Sequence, residues 1–214
     1  MEIPNRRLLI EGAKVFGIDL DEKKFEAFEL YLKELLIWNR KINLTAIRSE
    51  KGILLKHFLD SFSIYPYLPE HSSLLDVGSG AGFPGIPLKI LQPAVELTLI
   101  DSARKKVDFQ RHVIRILGLK GVEAIHGRVQ DEEILRDRRG RFDIILSRAF
   151  SDLQTFLALS LPFLKRAGTV IAMKGEVEDE EIGLLTETEG IPYRLQKIVC
   201  FQKHSSFWGQ AEQR

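Results

Sequence analysis

The stretch LLDVGSGAGFPGIPL, residues 74–88, sets four glycines and two prolines between an apolar run and a segment of helical spacing. A strand that enters a helix through Gly78, Gly80 and Gly82 brings its backbone close to whatever lies beside it, because any Cβ there would collide with a ligand. Pro84 suits the first turn of the helix after the bend, where a missing N–H leaves nothing unpaired. The free amides of such a helix start suit an anion, and GAGFPG (80–85) fits the pattern G-x-G-x-x-G, with Asp101 placed 21 residues after Gly80.

The segments beyond the bend fix the fold class. From Leu74 onward, short segments that are apolar nearly throughout alternate with helix-length segments: LLDVG, ELTLID (96–101), VEAIHG (122–127), FDIILSRA (142–149) and GTVIAMKG (168–175). Strands of this kind belong to a parallel sheet covered on both faces, so the spacing predicts a doubly wound, mostly parallel α/β domain over 73–214. Residues 1–72 read differently. Phe25, Phe28, Leu32, Leu35 and Leu36 share one face of a helix that Asp21 can cap. A second helix is expected over about 50–64, with Ile53, Leu54, Phe58, Leu59 and Phe62 inward, ending at the prolines of YPYLP, and a shorter one over about 5–16. These helices form an N-terminal extension whose expected role is a lid. YRLQKIVCFQ (193–202) reads as a sixth strand, and the short polar KHSSFWGQAEQR after it leaves little for a further one.

Charge excludes some partners. With 31 basic and 30 acidic residues the formal net charge is +1, so no global field drives the chain onto nucleic acid or membrane, and any such affinity is local. Cys200 is the single cysteine and no zinc-binding pair exists, which points to a reducing cytoplasm. The N-terminal residues lack the apolar core of a signal peptide and no run approaches a membrane span, so a soluble, unexported protein is expected.

Two ligands compete for the glycine bend, a nicotinamide dinucleotide and S-adenosylmethionine. Asp76, two residues before the first glycine, repels a pyrophosphate but attracts the ammonium of an amino-acid moiety. DVGSGAG therefore resembles the first motif of the class I methyltransferases, a Rossmann-like fold, and the resemblance implies that Asp101 takes the ribose hydroxyls. The bland role of such an Asp is a helix cap, and its position supports both.

The longer pattern is more specific. LLDVGSGAGFPGIPLKI and DSARKK, with WNRKINLT and KHFLDS upstream and SRAF and MKG downstream, closely resemble the RsmG family, also called GidB, over residues 25–175. The resemblance implies an enzyme that transfers a methyl group from S-adenosylmethionine to N7 of a guanine in 16S ribosomal RNA. It implies cofactor contacts at Gly78, Phe83 and Arg148, and a dipeptide after the third strand, here Val129 and Gln130, beside the adenine. Relatives usually carry Ala-Glu at that dipeptide, so a carboxylate is missing here, although Gln130 can still hydrogen-bond the base.

The chemistry so implied needs no general base, since guanine N7 carries a lone pair and attacks a methyl group without first losing a proton. Holding the reacting atoms in line is the enzyme's task, which lowers a barrier by up to about 7–11 kcal/mol. The residues expected to do so lie at strand ends: Arg148 bridging cofactor and guanine, and Lys174 meeting phosphate. Expected RNA contacts are Asn43 beside a turn, His57 on a helix face with Asp60 and Ser61, and Lys105 and Lys106 near the start of a basic helix that spans 104–120. His57 and Asp60 lack a third ligand, so no metal is expected. RDRRGR (136–141) forms a second basic loop, expected at the opposite, amino-terminal edge of the sheet. The partner is then ribosomal RNA or the small ribosomal subunit, bound by a chain expected to be monomeric. The competing classes are a catalytically silent RNA-binding or ribosome-assembly protein and a nicotinamide-dependent oxidoreductase, for which no hydride-handling set appears.

Overall fold

The computed structural model describes residues 1, 3–148 and 152–173 of the 214-residue chain. The expected sixth strand, Cys200, the polar tail and Lys174 lie outside the described residues.

Helix α1 spans Ile3–Val15 and α2 spans Glu22–Ile42. Asp21 caps α2 as its sequence position suggested, its carboxylate accepting the Lys24 N–H at 2.7 Å. At the other end Asn43 takes the left-handed conformation, φ 48°, that stops a helix. Phe25, Phe28, Leu32 and Leu35 are buried, and so is Tyr31 in the same stripe.

The helix expected over 50–64 forms, but not as a uniform α-helix. It starts as α3 (Glu50–Ile53), passes through a π-helical segment, Leu54–Leu59, and resumes as α4 (Asp60–Phe62). Five of the six π-helical residues are buried, among them Leu55 and His57 as well as Leu54 and Phe58, so burial here wraps most of the turn rather than one narrow face. A 3₁₀ turn, Tyr65–Tyr67, closes the segment at the proline.

The sheet strands are β1 (Ser73–Val77), β2 (Glu96–Asp101), β3 (Val122–His126), β4 (Phe142–Ser147) and β5 (Leu164–Ala172), all parallel, in the order β3-β2-β1-β4-β5. Helices α5 (Gly85–Leu91), α6 (Arg104–Ile116), α7 (Glu132–Arg138) and α8 (Leu153–Ser160) connect them. The doubly wound α/β architecture read from the sequence is the one observed. Strand β5 begins four residues earlier than its apolar run, because Leu164 already pairs with Phe142 before the register slips.

Alternate strand residues face opposite layers. Leu74, Leu97, Leu99 and Leu146 join one core with α1, α2, the 50–62 helix, α5 and α6; Leu75, Val77, Ile100 and Ile145 join a second with α8. The N-terminal helices therefore share a single buried layer with the sheet. Because β1 lies between β2 and β4, the chain leaves it toward one side and leaves β4 toward the other. The crevice this opens at the carboxyl ends of β1 and β4 is where open α/β sheets bind ligands.

Candidate active site

The glycine loop leaves β1 at this crevice. Gly78 and Gly80 both adopt positive φ, 68° and 61°, a region that side chains rarely tolerate. A Cβ added at Gly78 would meet no atom within 4 Å, and one at Gly80 would reach only the Gly78 carbonyl at 4.0 Å. These glycines hold open a space. Gly82 differs, since a Cβ there would strike Ile86 and come within 2.9 Å of the Tyr31 hydroxyl; it is a packing glycine. Pro84 caps α5 rather than lying inside its first turn.

Two carboxylates anchor the loop from below. Asp101, 6% exposed at the end of β2, accepts the Gly80 N–H and the Ala103 N–H, each at 2.8 Å. Its two oxygens thus clamp the loop and start the turn into α6, yet each keeps a lone pair for a further donor. Asp76 is fully buried on β1, with Oδ2 accepting the Gly85 N–H at 2.8 Å. Among the described residues Oδ1 has no partner. Burial pushes the Asp76 carboxyl up to about 7, against the pull of the Gly85 N–H and Arg148, while the Asp101 charge pushes the same way as burial. A buried acid with one unused oxygen beside an open loop is a socket for a donor or a cation.

Side chains from the helices brace the loop from above. Gln110, fully buried on α6, donates through Nε2 to Ser79 Oγ at 2.8 Å and to the Gly80 carbonyl at 2.7 Å. Tyr31 donates its hydroxyl to the Ala81 carbonyl at 2.6 Å, and burial holds its phenol well above the usual range. Sequence reasoning missed both. A signal existed: Tyr31 interrupts an apolar stripe with a hydroxyl, and Gln110 lies three residues from Val107 and from Val113 on the apolar side of α6, where an amide must find partners.

Phe83 joins the braces. Its ring, 2% exposed, stacks between Tyr31 (centroids 5.2 Å, planes at 13°) and His57 (4.6 Å, 16°). The Arg148 guanidinium lies 5.4 Å from the same ring, donates to the Lys56 carbonyl at 3.1 Å and approaches Asp60 to 3.6 Å. Arg148 thereby ties the end of β4 to the π-helical turn. His57 is only 7% exposed, with Nε2 at 2.8 Å from Thr45 Oγ1. Burial, helped by Arg148, drives its pKa down to about 3, so the ring is neutral. Expected to contact RNA, it is buried in the core of the site instead, stacked on Phe83 and bonded to Thr45.

The remaining expected residues divide between core and surface. Val129 is buried among the side chains of the second core, while Gln130 beside it is exposed. Asn43 and Lys105 are exposed, and Lys106 reaches back to within 3.8 Å of Asp101 Oδ2. On α6 the basic face is partly engaged: Arg111 donates to the Ala124 carbonyl, Arg104 pairs with Asp108, and His112 meets Glu34 of α2 at 2.7 Å. No helix among the described residues is long and apolar enough to cross a membrane, and no cluster of three or more His, Cys, Asp or Glu residues among them is placed to hold a metal ion.

Comparison with known proteins agrees with this geometry. A family model described as GidB, rRNA small subunit methyltransferase G, matches residues 24–206. The ribosomal RNA small subunit methyltransferase G of Geotalea uraniireducens is 47% identical over 170 residues, 79% of this chain and 77% of that protein. Its namesake from Geobacter metallireducens is 46% identical over 181 residues, 85% of this chain and 81% of that one. Among solved structures, a SAM dependent methyltransferase from Aquifex aeolicus aligns with a TM-score of 0.50 at 25% identity, over 65% of this chain and 82% of that chain. With a family model matched over residues 24–206 and relatives 46–47% identical over most of the chain, the chain belongs to the GidB family, the rRNA small subunit methyltransferases G.

Proposed function

We propose that this chain transfers a methyl group from S-adenosylmethionine to N7 of a guanine in 16S ribosomal RNA, acting in the cytoplasm as a monomer on rRNA or on the small ribosomal subunit. One observation carries the reading beyond family membership: the open backbone at Gly78 and Gly80 adjoins the unpartnered Oδ1 of Asp76, with Asp101 at the far end of the loop. A dinucleotide pyrophosphate would meet a buried acid there, whereas an ammonium group would satisfy it.

The residues fit the cofactor part by part. Asp76 receives the amino group. Gly78 and Gly80 shape the loop so that its backbone lies against the ligand, and Gly82 seats it on Ile86 and Tyr31. Asp101 offers its remaining lone pairs to the ribose hydroxyls while keeping the Gly80 clamp. Val129 walls the adenine and Gln130 hydrogen-bonds its edge. S-adenosylmethionine, when bound, supplies an electrophilic methyl group on a sulfonium.

The chain's own work is positioning. Arg148, held by the Lys56 carbonyl and Asp60, presents its free N–H groups to guanine O6 and so sets the angle at which N7 approaches. Lys174 meets an RNA phosphate. Lys105, Lys106 and Asn43 line the carboxyl edge for the RNA backbone, and His57 acts through its stack on Phe83 rather than by touching RNA. Residues 1–72 form the lid, attached through Tyr31, His57 and Arg148. No residue needs to take a proton from N7, which suits a site with a buried acid at one end and a braced cation at the other.

The test is transfer of labelled methyl onto naked 16S rRNA, small subunits and tRNA, followed by mapping of the labelled base. Label on one guanine N7 of 16S rRNA is expected. Tight cofactor binding without transfer to any RNA overturns the reading in favour of a silent binding protein, and binding of NAD in its place overturns it altogether.

A further inference from the structure

The opposite edge of the sheet carries a feature that the site does not use. Strands β4 and β5 pair at Phe142 with Leu164 and again at Ile144 with Thr169, so two steps along β4 match five along β5 and residues 165–168 bulge out. Ala167 in the bulge has φ 67°, a left-handed conformation that a residue with a Cβ adopts only under strain. Bulges of this kind re-aim side chains. Core packing resumes on both sides of it, with Leu164 before and Ile171 after, so the extra residues contribute display rather than burial.

What they display is positive charge. The start of β4 lies against the bulge, a Cβ at Gly168 coming within 3.0 Å of the Asp143 carbonyl, and the loop before it is tied to the turn that precedes β5, the Gly140 N–H donating to the Pro162 carbonyl. Some of the local cations are consumed: Arg138 pairs with Glu123, Arg136 with Asp137, and Lys165 with Asp143. Burial pushes the Asp143 carboxyl up, but Lys165 and Ser73 together outweigh it and hold its pKa at about 2. The side chains of Arg139, Arg141 and Arg166 are exposed and have no ion-pair or hydrogen-bond partner among the described residues. All three are arginines, whose planar forks match phosphate oxygens in pairs.

We infer that Arg139, Arg141 and Arg166 form a phosphate-binding ridge at the amino edge of the sheet, a second contact for the RNA substrate. The inference rests on the reading that the substrate is RNA. Strands of five or six residues put the ridge about 20 Å from the cofactor crevice, so only an RNA large enough to wrap the side of the domain reaches both. The ridge then adds affinity without touching the reacting base.

The test is the variant Arg139→Gln, Arg141→Gln, Arg166→Gln, whose changes are all at the surface. For binding to a full-length 16S rRNA transcript, the slope of log affinity against log salt is expected to become shallower by about two to three, at roughly 0.7–0.9 for each phosphate that is no longer neutralised. The KM for RNA rises about tenfold at moderate salt, while kcat at saturating RNA and the affinity for S-adenosylmethionine stay unchanged. An unaltered slope and KM overturn the ridge. So does a loss seen with assembled subunits but not with naked rRNA, which identifies a protein-binding surface instead. If the unmodified chain binds rRNA but methylates none, the proposed function fails, and the slope comparison still decides the ridge from binding alone.

Discussion

The two edges of the sheet treat charge in opposite ways. At the carboxyl edge the ionisable groups of the crevice are drawn inward and held: Asp101 clamps two amides, Asp76 lies fully buried, and Arg148 is pinned to the π-helical turn. At the amino edge three arginines stand exposed, and the strand bulges to display one of them. An inward edge fixes geometry, because charges in a low-dielectric site lose little to solvent when a ligand arrives. An outward edge supplies long-range attraction that salt weakens. The contrast separates chemistry from capture, and substitutions at the inward edge show whether the two can be moved independently.

The largest effect is expected at Arg148. Arg148→Ala removes both the pin to Lys56 and Asp60 and the group proposed to aim the guanine, so kcat falls on the order of 100-fold, as for other losses of alignment. Affinity for S-adenosylmethionine also falls, but by less than kcat, since Arg148 is read as bridging cofactor and guanine, and circular dichroism shows the fold retained. Near-normal turnover by the folded variant would refute the role. Next comes Asp101→Asn, which turns one clamp oxygen into a donor facing a backbone N–H. Charge-assisted bonds of this type contribute about 1.5–3 kcal/mol, so calorimetry should show cofactor affinity weakened about 10- to 100-fold, with a smaller change in the KM for RNA. Should both constants move together, the two edges are not independent.

Gln110 tests whether bracing from above matters as much as clamping from below. Gln110→Leu removes two neutral hydrogen bonds inside the core, about 1–2 kcal/mol together, and lowers Tm by about 2–8 °C. Gln110→Glu keeps the shape but turns an acceptor toward the Gly80 carbonyl, and should bind cofactor more weakly than Gln110→Leu. The reverse order would show that the Gln110 amide is not the donor to the loop.

The sequence made the sheet, its order of strands and helices, and the glycine bend legible, because each rests on a periodicity or on a residue with few conformational alternatives. Asp76 and Asp101 were legible for the same reason, being fixed by their distance along the strand from the glycines. Tyr31, Gln110 and the burial of His57 were not. Their roles arise where three segments meet: a tyrosine of α2, an amide of α6 and a π-turn at 54–59 close on one loop. Helical spacing says which side of a helix faces inward; it does not say which loop waits there.

The pH dependence of stability dissects the inward edge most closely, because its two slopes partly cancel in the unmodified chain. Asp76 and His57 both lie within reach of the Arg148 charge, and burial shifts them so that both favour neutrality. The Asp76 pKa is raised to about 7, so the folded protein holds a proton there that the unfolded chain releases near pH 4; this contribution is full at acid pH and is lost as pH rises through 7. The His57 pKa is lowered to about 3, so the unfolded chain takes up a proton near pH 6.5 that the folded protein refuses; this contribution is present above pH 6.5 and is lost as pH falls toward 3. Between about pH 4 and 6.5 the two slopes oppose each other. Asp76→Asn removes the first, so its Tm relative to the unmodified chain should climb as pH rises from 4 to 7. His57→Phe keeps a ring on Phe83 and removes the second, so its relative Tm should climb as pH falls from 6.5 to 4. Bound S-adenosylmethionine, by satisfying Asp76 as a carboxylate, should abolish the first trend and leave the second. Parallel curves for the two variants would mean that neither group is held neutral, and that the inward edge gains its rigidity from packing rather than from buried charge.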